Sequence, residues 1–538
     1  MKVRVRRRAA RPPARAPVSA WLACACLAGQ VVSTPVAFAQ PTSPAAGPRD
    51  AVSVEPEAST LRARARAATD RRDFAVALPL YEKLVAEAPG DADLLIEAAR
   101  VLGWADRNAR SAALYRQALS AAPARRADIV PSLAWQTLWS DGASAALPLL
   151  EEAAALRSGD RSLGWALGQA LNAAGRHREA LVHFRRWSPP ASEDERLDLA
   201  RAWRWAGYED RAWPLLRDAK APEPAWLRDF RVARDVAPYA FGSLEATEDR
   251  DTLRTQAYSL GAGFAPAAGA VLELGGRRVE LDDDFGATTA TSFEATGRIR
   301  LGEPESPGGS WWPQLTLRSH RIGGWQPLTS AARLKWVPAD RWRVDVERTR
   351  ELIETPRALA NRVTVDVTAV GADWRRDERL ALAGSVAHLR FDDGTVRERL
   401  LARGEWALTT RPRFTIGAEW SRLERTRDGA PGADARGYWN PRRYDERRLL
   451  AGLSWEQRPW DLQARAGIAR SREVDGAGNA SRGAPHLWEL AAGWDVRAAW
   501  RLRAAAGGSG QALGLASTGQ SGARYWRRWA QLSLHAWF

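Results

Sequence analysis

Through the C-terminal half of this 538-residue chain, charged residues of both signs recur at spacings of two or four. Arg343, Asp345, Glu347 and Glu351 do so in one stretch, and Arg399, Arg403 and Glu405 in another. Glu419, Asp461, Arg465, Glu489 and Asp495 continue the pattern, with Arg298 and Arg318 upstream. Side chains two apart on a strand share a face, so these residues describe a polar, hydrated wall. Such a wall suits a hydrophilic solute held weakly enough to keep moving. The same groups could instead pair into a salt-bridged network that stiffens a closed structure. The acidic cluster Asp345, Glu347 and Glu351 tilts the preference toward a solute with some positive charge.

Constellations for catalysis are not legible. There is no Gly-x-Ser-x-Gly, no phosphate-cradling glycine loop and no His-Glu-x-x-His. His320, His388, His486 and His535 are scattered, and His177 and His183 lie six apart, which is not a ligand spacing on a helix. Asp282-Asp283-Asp284 reads as a polar loop tip rather than a calcium site. Carboxylate pairs are too common in a chain that is 27% charged to mark a glycosidase. The expectation is therefore no enzyme, no metal and no cofactor.

The wall residues must be positioned by strands. In Arg413 to Trp420, Phe414, Ile416, Ala418 and Trp420 share one face, while Arg413, Thr415, Gly417 and Glu419 share the other. Trp460–Ala466, Trp342–Val346 and Phe293–Leu301 repeat the scheme. Short turns are expected at 338–340, 376–378, 410–412, 457–459 and 496–498, alternating with longer polar links at 425–445, 472–485 and 507–523. Tight turns at one end and larger loops at the other are the asymmetry of an outer-membrane β-barrel. Trp336, Trp374, Trp406, Trp455 and Trp494 precede the short turns, and Trp342, Phe414, Trp460 and Trp500 follow four of them. Folded, they make one aromatic ring at a membrane interface, which gives a reason for 27 tryptophans beside a single methionine. Leu532, Leu534, Ala536 and Phe538 alternate up to a terminal aromatic, and Leu534 and Phe538 are read as the signal taken by the barrel-assembly machinery. The expectation for 234–538 is an antiparallel transmembrane barrel of about sixteen strands facing outer-membrane lipid.

Upstream the period changes. Ala77, Tyr81, Leu84 and Pro89 recur 34 residues later as Ser111, Tyr115, Ala118 and Pro123; Ala146, Leu150 and Ala153 recur as Ala180, Phe184 and Trp187. With Leu167-Gly168 ahead of Ala180, this is the spacing of tetratricopeptide (TPR) repeats. Four to five α-helical pairs are expected over 57–233, a solenoid that binds a partner or acts as a spacer. Residues 1–39 read as a signal peptide, with a basic start, an apolar stretch near 20–28 and Ala37-Phe38-Ala39 before Gln40. Residues 40–56, rich in Pro, Ala and Ser, read as a linker. Cleavage would remove both cysteines, Cys24 and Cys26, and seven unopposed basic residues, lowering the net charge from +15 to about +8. Nucleic-acid binding is thus a poor inference from the basic balance.

Several stretches carry a family resemblance: Glu354-Thr355-Pro356-Arg357-Ala358 leading to Val363-Thr364-Val365-Asp366, Phe391-Asp392-Asp393-Gly394, and Tyr438-Trp439-Asn440-Pro441. Together with helical repeats ahead of a barrel, they resemble the exopolysaccharide export porins, and among these the poly-N-acetylglucosamine exporters. The resemblance implies passage of a β-linked, partly deacetylated hexosamine polymer from periplasm to cell surface. It also implies repeats that engage the polymer or a periplasmic deacetylase, and an acidic lumen. The alternative is an outer-membrane receptor or scaffold whose plugged barrel merely anchors the repeats.

Overall fold

The structure, a computed structural model, describes residues 57–217, 236–306, 308–410, 412–432, 435–457, 459–497, 499–510 and 525–538. The expected signal peptide, the linker and the 233/234 boundary lie outside the described residues.

Among the described residues of the N-terminal half, ten α-helices run in five antiparallel pairs: α1 (Glu57–Asp70) with α2 (Phe74–Glu87), α3 (Ala92–Trp104) with α4 (Asn108–Ala121), α5 (Arg126–Ser140) with α6 (Ala143–Leu156), α7 (Arg161–Ala173) with α8 (His177–Arg186), and α9 (Glu193–Trp205) with α10 (Glu209–Arg217). Carboxylates or hydroxyls start several of them: Asp73, Asp91, Asp160 and Ser192 each accept a backbone N–H of the first turn, satisfying donors that a helix leaves open. The repeat positions Ala77, Tyr81, Tyr115, Ala180 and Phe184 are all buried. Gly168 shows why the small residues recur. A Cβ there would stand 2.5 Å from the Phe184 ring, closer than packed atoms approach.

From Tyr239 the chain becomes a closed antiparallel barrel. Its strands are β1 (Tyr239–Asp249), β2 (Arg254–Ala267), β3 (Ala270–Asp283), β4 (Gly286–Ile299), β5 (Ser310–Ile322), β6 (Leu328–Ala339), β7 (Trp342–Leu352), β8 (Thr364–Arg375), β9 (Leu380–Phe391), β10 (Val396–Thr410), β11 (Arg413–Arg427), β12 (Arg443–Gln457), β13 (Trp460–Val474), β14 (Ala480–Gly483), β15 (His486–Arg497), β16 (Trp500–Ser509) and β17 (Arg527–Trp537). Each strand pairs with its sequence neighbours, and β1 pairs with β17, which closes the ring. β14 and β15 both pair with β13 and form one stave broken at Ala484-Pro485, where proline supplies no ladder N–H. The barrel therefore has sixteen staves, and closure leaves it no open sheet edge.

The pleat sorts the side chains as the alternation requires. Phe414, Ile416, Trp420, Leu449, Leu462, Ile468 and Leu490 point outward and lie exposed on the protein surface. No core covers them, so they are a face for lipid rather than for water. The expected short turns all fall at the end that carries the helices, the near end. There Trp342 meets Trp374 at 6.3 Å and Trp460 stacks on Trp494 at 5.2 Å, both as cross-strand partners. Two of the three long far-end links are shorter than expected, and most of the third, 511–524, lies outside the described residues. β11 runs on to Arg427, and β12 begins at Arg443. Backbone pairing continues past the apolar band, where outward positions turn from leucine to arginine.

Candidate functional site

Three levels of the barrel interior could handle a solute: the near mouth, the wall and the far end.

At the near mouth the last two helix pairs sit on the barrel. Gly207 holds a left-handed φ of +87° between α9 and α10, and a Cβ on it would stand 2.8 Å from Trp312. Only glycine brings the backbone this close without strain. The neighbouring Tyr208 is buried, its hydroxyl 2.9 Å from the Gly302 carbonyl and 2.6 Å from Ser310 Oγ. Arg300, in the β4–β5 link, forks onto both Asp210 oxygens at 2.6 and 2.9 Å and lies 4.0 Å over the Tyr208 ring. Asp340, in the β6–β7 turn, accepts the Arg178 and Glu179 N–H groups at the start of α8. Burial pushes its carboxyl up to about 6 even though those two N–H donors favour the anion. His177 alongside is held down to about 4 by burial, with Arg375 adding to the effect.

The wall carries the residues expected from sequence, and it brings nearly all of them into pairs. Asp345 meets Arg343 at 2.8 Å, and Glu347 accepts from Arg333 at 2.9 Å. Glu405 is paired with Arg403. Glu419 lies between Arg448 at 3.1 Å and Arg465 at 3.5 Å, and Arg465 reaches Glu489 at 3.8 Å. Arg501 bridges Asp461 and Asp495. Glu351 accepts the Thr349 hydroxyl at 2.9 Å. The acids thus stand beside arginines, and the wall is an alternating lattice of both signs. On the β1–β7 side the wall opens into a cavity of about 770 Å³, lined among others by Glu273, Arg298, Gln314, Arg318, Glu351 and Arg399.

The far end was not foreseen as a unit. After β7 the chain folds inward as a short helix, Pro356–Ala360. Leu359 buries against Ala257, Val279 and Ile322 from the β2–β5 side of the barrel, while Ile353, Ala358, Val363 and Val365 pack with Leu389, Phe391 and Tyr438. Thr355 caps the helix through the Ala358 N–H and donates its hydroxyl to the Gly437 carbonyl at 2.7 Å. Tyr438 stacks on Phe391 at 4.5 Å and donates to Asp393 at 2.6 Å. Arg397, 1% exposed, lies over both rings and donates to Asn440 at 2.9 Å. Trp439 donates to Glu473 at 3.0 Å. All the stretches that carried the family resemblance meet in this one plug.

A second unforeseen feature lies on the repeats. Trp104, Trp139 and Trp205 each stand four residues before the second helix of their pair, and are 58%, 56% and 51% exposed. Trp135 rests beside Trp139 at 5.4 Å, and Trp205 beside His177 at 5.0 Å. Aligning the 34-residue repeats at the second helix would have exposed this row. Among the described residues no group of three or more His, Cys, Asp or Glu has the geometry to hold a metal ion.

Comparison with known proteins gives three findings. Residues 310–457 match the family model described as the PgaA membrane beta barrel domain. No curated protein sequence matches the chain. Among solved structures, a "bacterial polysaccharide outer membrane secretin" aligns at 12% identity over 56% of this chain and 98% of its own, with a TM-score of 0.43. YrrB, described as a TPR protein with an unusual peptide-binding site, aligns at 19% identity over 32% of this chain and 91% of its own, with a TM-score of 0.29. MamA aligns at 15% identity over 33% and 94%, with a TM-score of 0.28. The strand-built domain is an outer-membrane barrel.

Proposed function

We propose that this chain, whose barrel matches the PgaA membrane beta barrel domain and resembles the exopolysaccharide export porins, passes a polysaccharide from periplasm to cell surface. The observation that carries the reading is the polar, charge-paired lumen, with helical repeats fixed at one mouth and loops folded into the other. A wall that alternates arginine and carboxylate offers hydrogen bonds all along the path and a deep well nowhere, as a moving polar chain needs. The polymer in this reading is a β-linked hexosamine, partly deacetylated, and the near mouth faces the periplasm.

The repeats prepare the chain for threading. Exposed indole faces stack on the apolar faces of sugar rings, and Trp104, Trp139 and Trp205 supply three such platforms, with Ala173 at the equivalent position of the intervening pair. A periplasmic deacetylase is the protein partner this solenoid would take. Deleting the gene should abolish extracellular hexosamine polymer while polymer accumulates behind the outer membrane. Unchanged extracellular polymer would contradict the reading.

One observation favours a second reading, that of an anchored scaffold: the plug at Pro356–Ala360 and Tyr438 packs against β2–β5 on one side and β8–β9 on the other at the far end of the barrel. Under the export reading the plug is a gate, and its loosening raises flux.

A further inference from the structure

Outside the lumen, at the far end of the barrel, the outward face of β12, β13 and β14 carries a cluster of arginines. Arg447 lies directly opposite Arg470, and Arg472 directly opposite Arg482. All four are exposed, and none makes an ion pair with a described residue. Two carboxylates share this face: Glu424 is engaged by Arg422 and Asp445 by Arg443. Like charges directly opposite across a ladder repel, so the patch as it stands costs the sheet stability.

Its position says what would offset that cost. Two residues toward the near end, Leu449 and Ile468 lie opposite each other, 64% and 70% exposed, at the upper edge of the lipid-facing band. Trp420, partner of Arg447 on the other side, sits at the same height. An occupant must therefore present anionic groups above and acyl chains below. Asp445 lies opposite Arg422 and Arg472 much as Asp366 lies opposite Arg350 and Arg390; what sets the β12–β14 face apart is its two arginine–arginine pairs.

We propose that Arg447, Arg470, Arg472 and Arg482 bind the phosphorylated headgroup of a glycolipid in the outer leaflet. Guanidinium forks grip phosphate oxygens bidentately, and the acyl chains lie along Leu449 and Ile468. Free phosphate shares the headgroup chemistry but has no use for the apolar rows beneath. The site is independent of what the lumen carries, so its failure would leave the export reading untouched.

The test is native mass spectrometry of the full chain in mild detergent, titrated separately with bisphosphorylated lipid A, phosphatidylethanolamine and inorganic phosphate. Wild type should retain lipid A in preference to both others. R447Q/R470Q/R472Q/R482Q should bind it at least about tenfold more weakly, the corresponding lysine variant should keep much of the binding, and R350Q/R390Q should match wild type. Heat-modifiable mobility verifies the barrel in each variant, and R447Q/R470Q alone serves if the fourfold change does not fold. Equal retention by the glutamine variants, or no preference for lipid A over phosphatidylethanolamine or phosphate, would overturn the proposal.

Discussion

Arg333, Arg343 and Arg448 decide how the lumen acids act. Taken one strand at a time, Asp345, Glu347 and Glu351 look like an acidic stripe, and which face they occupy was legible because alternation is local. Their partners were not. Arg333 reaches Glu347 from the neighbouring strand, and Arg448 reaches Glu419 across 29 positions of sequence. D345N/E347Q therefore does more than remove two negative charges, because it takes the acid from Arg333 and leaves Arg343 with Asp373 alone. Secretion of a partly cationic polymer should fall several-fold with heat-modifiable barrel at wild-type level, measured as extracellular amino sugar. Unchanged secretion would take both residues off the path. Arg397 makes the same point at the far end. Nothing in its immediate sequence sets it apart, yet Phe391, Tyr438 and Asn440 converge on it from two other segments.

Among the elements, the helix pairs and near-end turns were the easiest to read, because period and punctuation lie within a few residues. The plug and the docking of the repeats were harder. Each is a meeting of links with no periodicity of their own, such as Thr355 with Gly437 or Asp340 with the start of α8. Two tests belong at this scale. In the first helix pairs, burial pushes Glu97 up, but hydrogen bonds from Arg66, Tyr81 and Arg62 outweigh it and hold the carboxyl at about 2. A depressed acid stabilises the fold above its ordinary range, and that contribution is lost as pH falls toward 2. The helical signal at 222 nm should therefore melt lower as pH drops from the usual glutamate range toward 2, and E97Q should flatten the dependence at a cost of about 1.5–3 kcal/mol. Asp340 has the opposite sign. Its carboxyl is raised to about 6, so the docked state favours the neutral form and docking weakens as pH rises through 6. Amide exchange at Arg178 and Glu179 should quicken across that range in wild type. In D340N, which keeps an uncharged acceptor, it should show no such added step once intrinsic rates are removed; an identical step in both would contradict the assignment.

At the scale of the molecule, closure sorts everything else. A sixteen-stave ring gives every backbone group a partner without water, which is what lets strands rather than helices stand in lipid. It also turns one face of each strand into a wall, and brings both chain ends of the barrel to the mouth where the repeats dock. In the export reading this interior is a path closed by a movable plug. Single-channel conductance in planar bilayers tests it most directly, comparing wild type with R397Q and with a chain whose 355–361 segment is replaced by a short glycine-serine link. Wild type should pass little steady current, R397Q should open frequently, and the replacement should show a large persistent conductance. Silence in all three, with the barrel verified as folded and inserted, would contradict the export reading and leave the barrel an anchor.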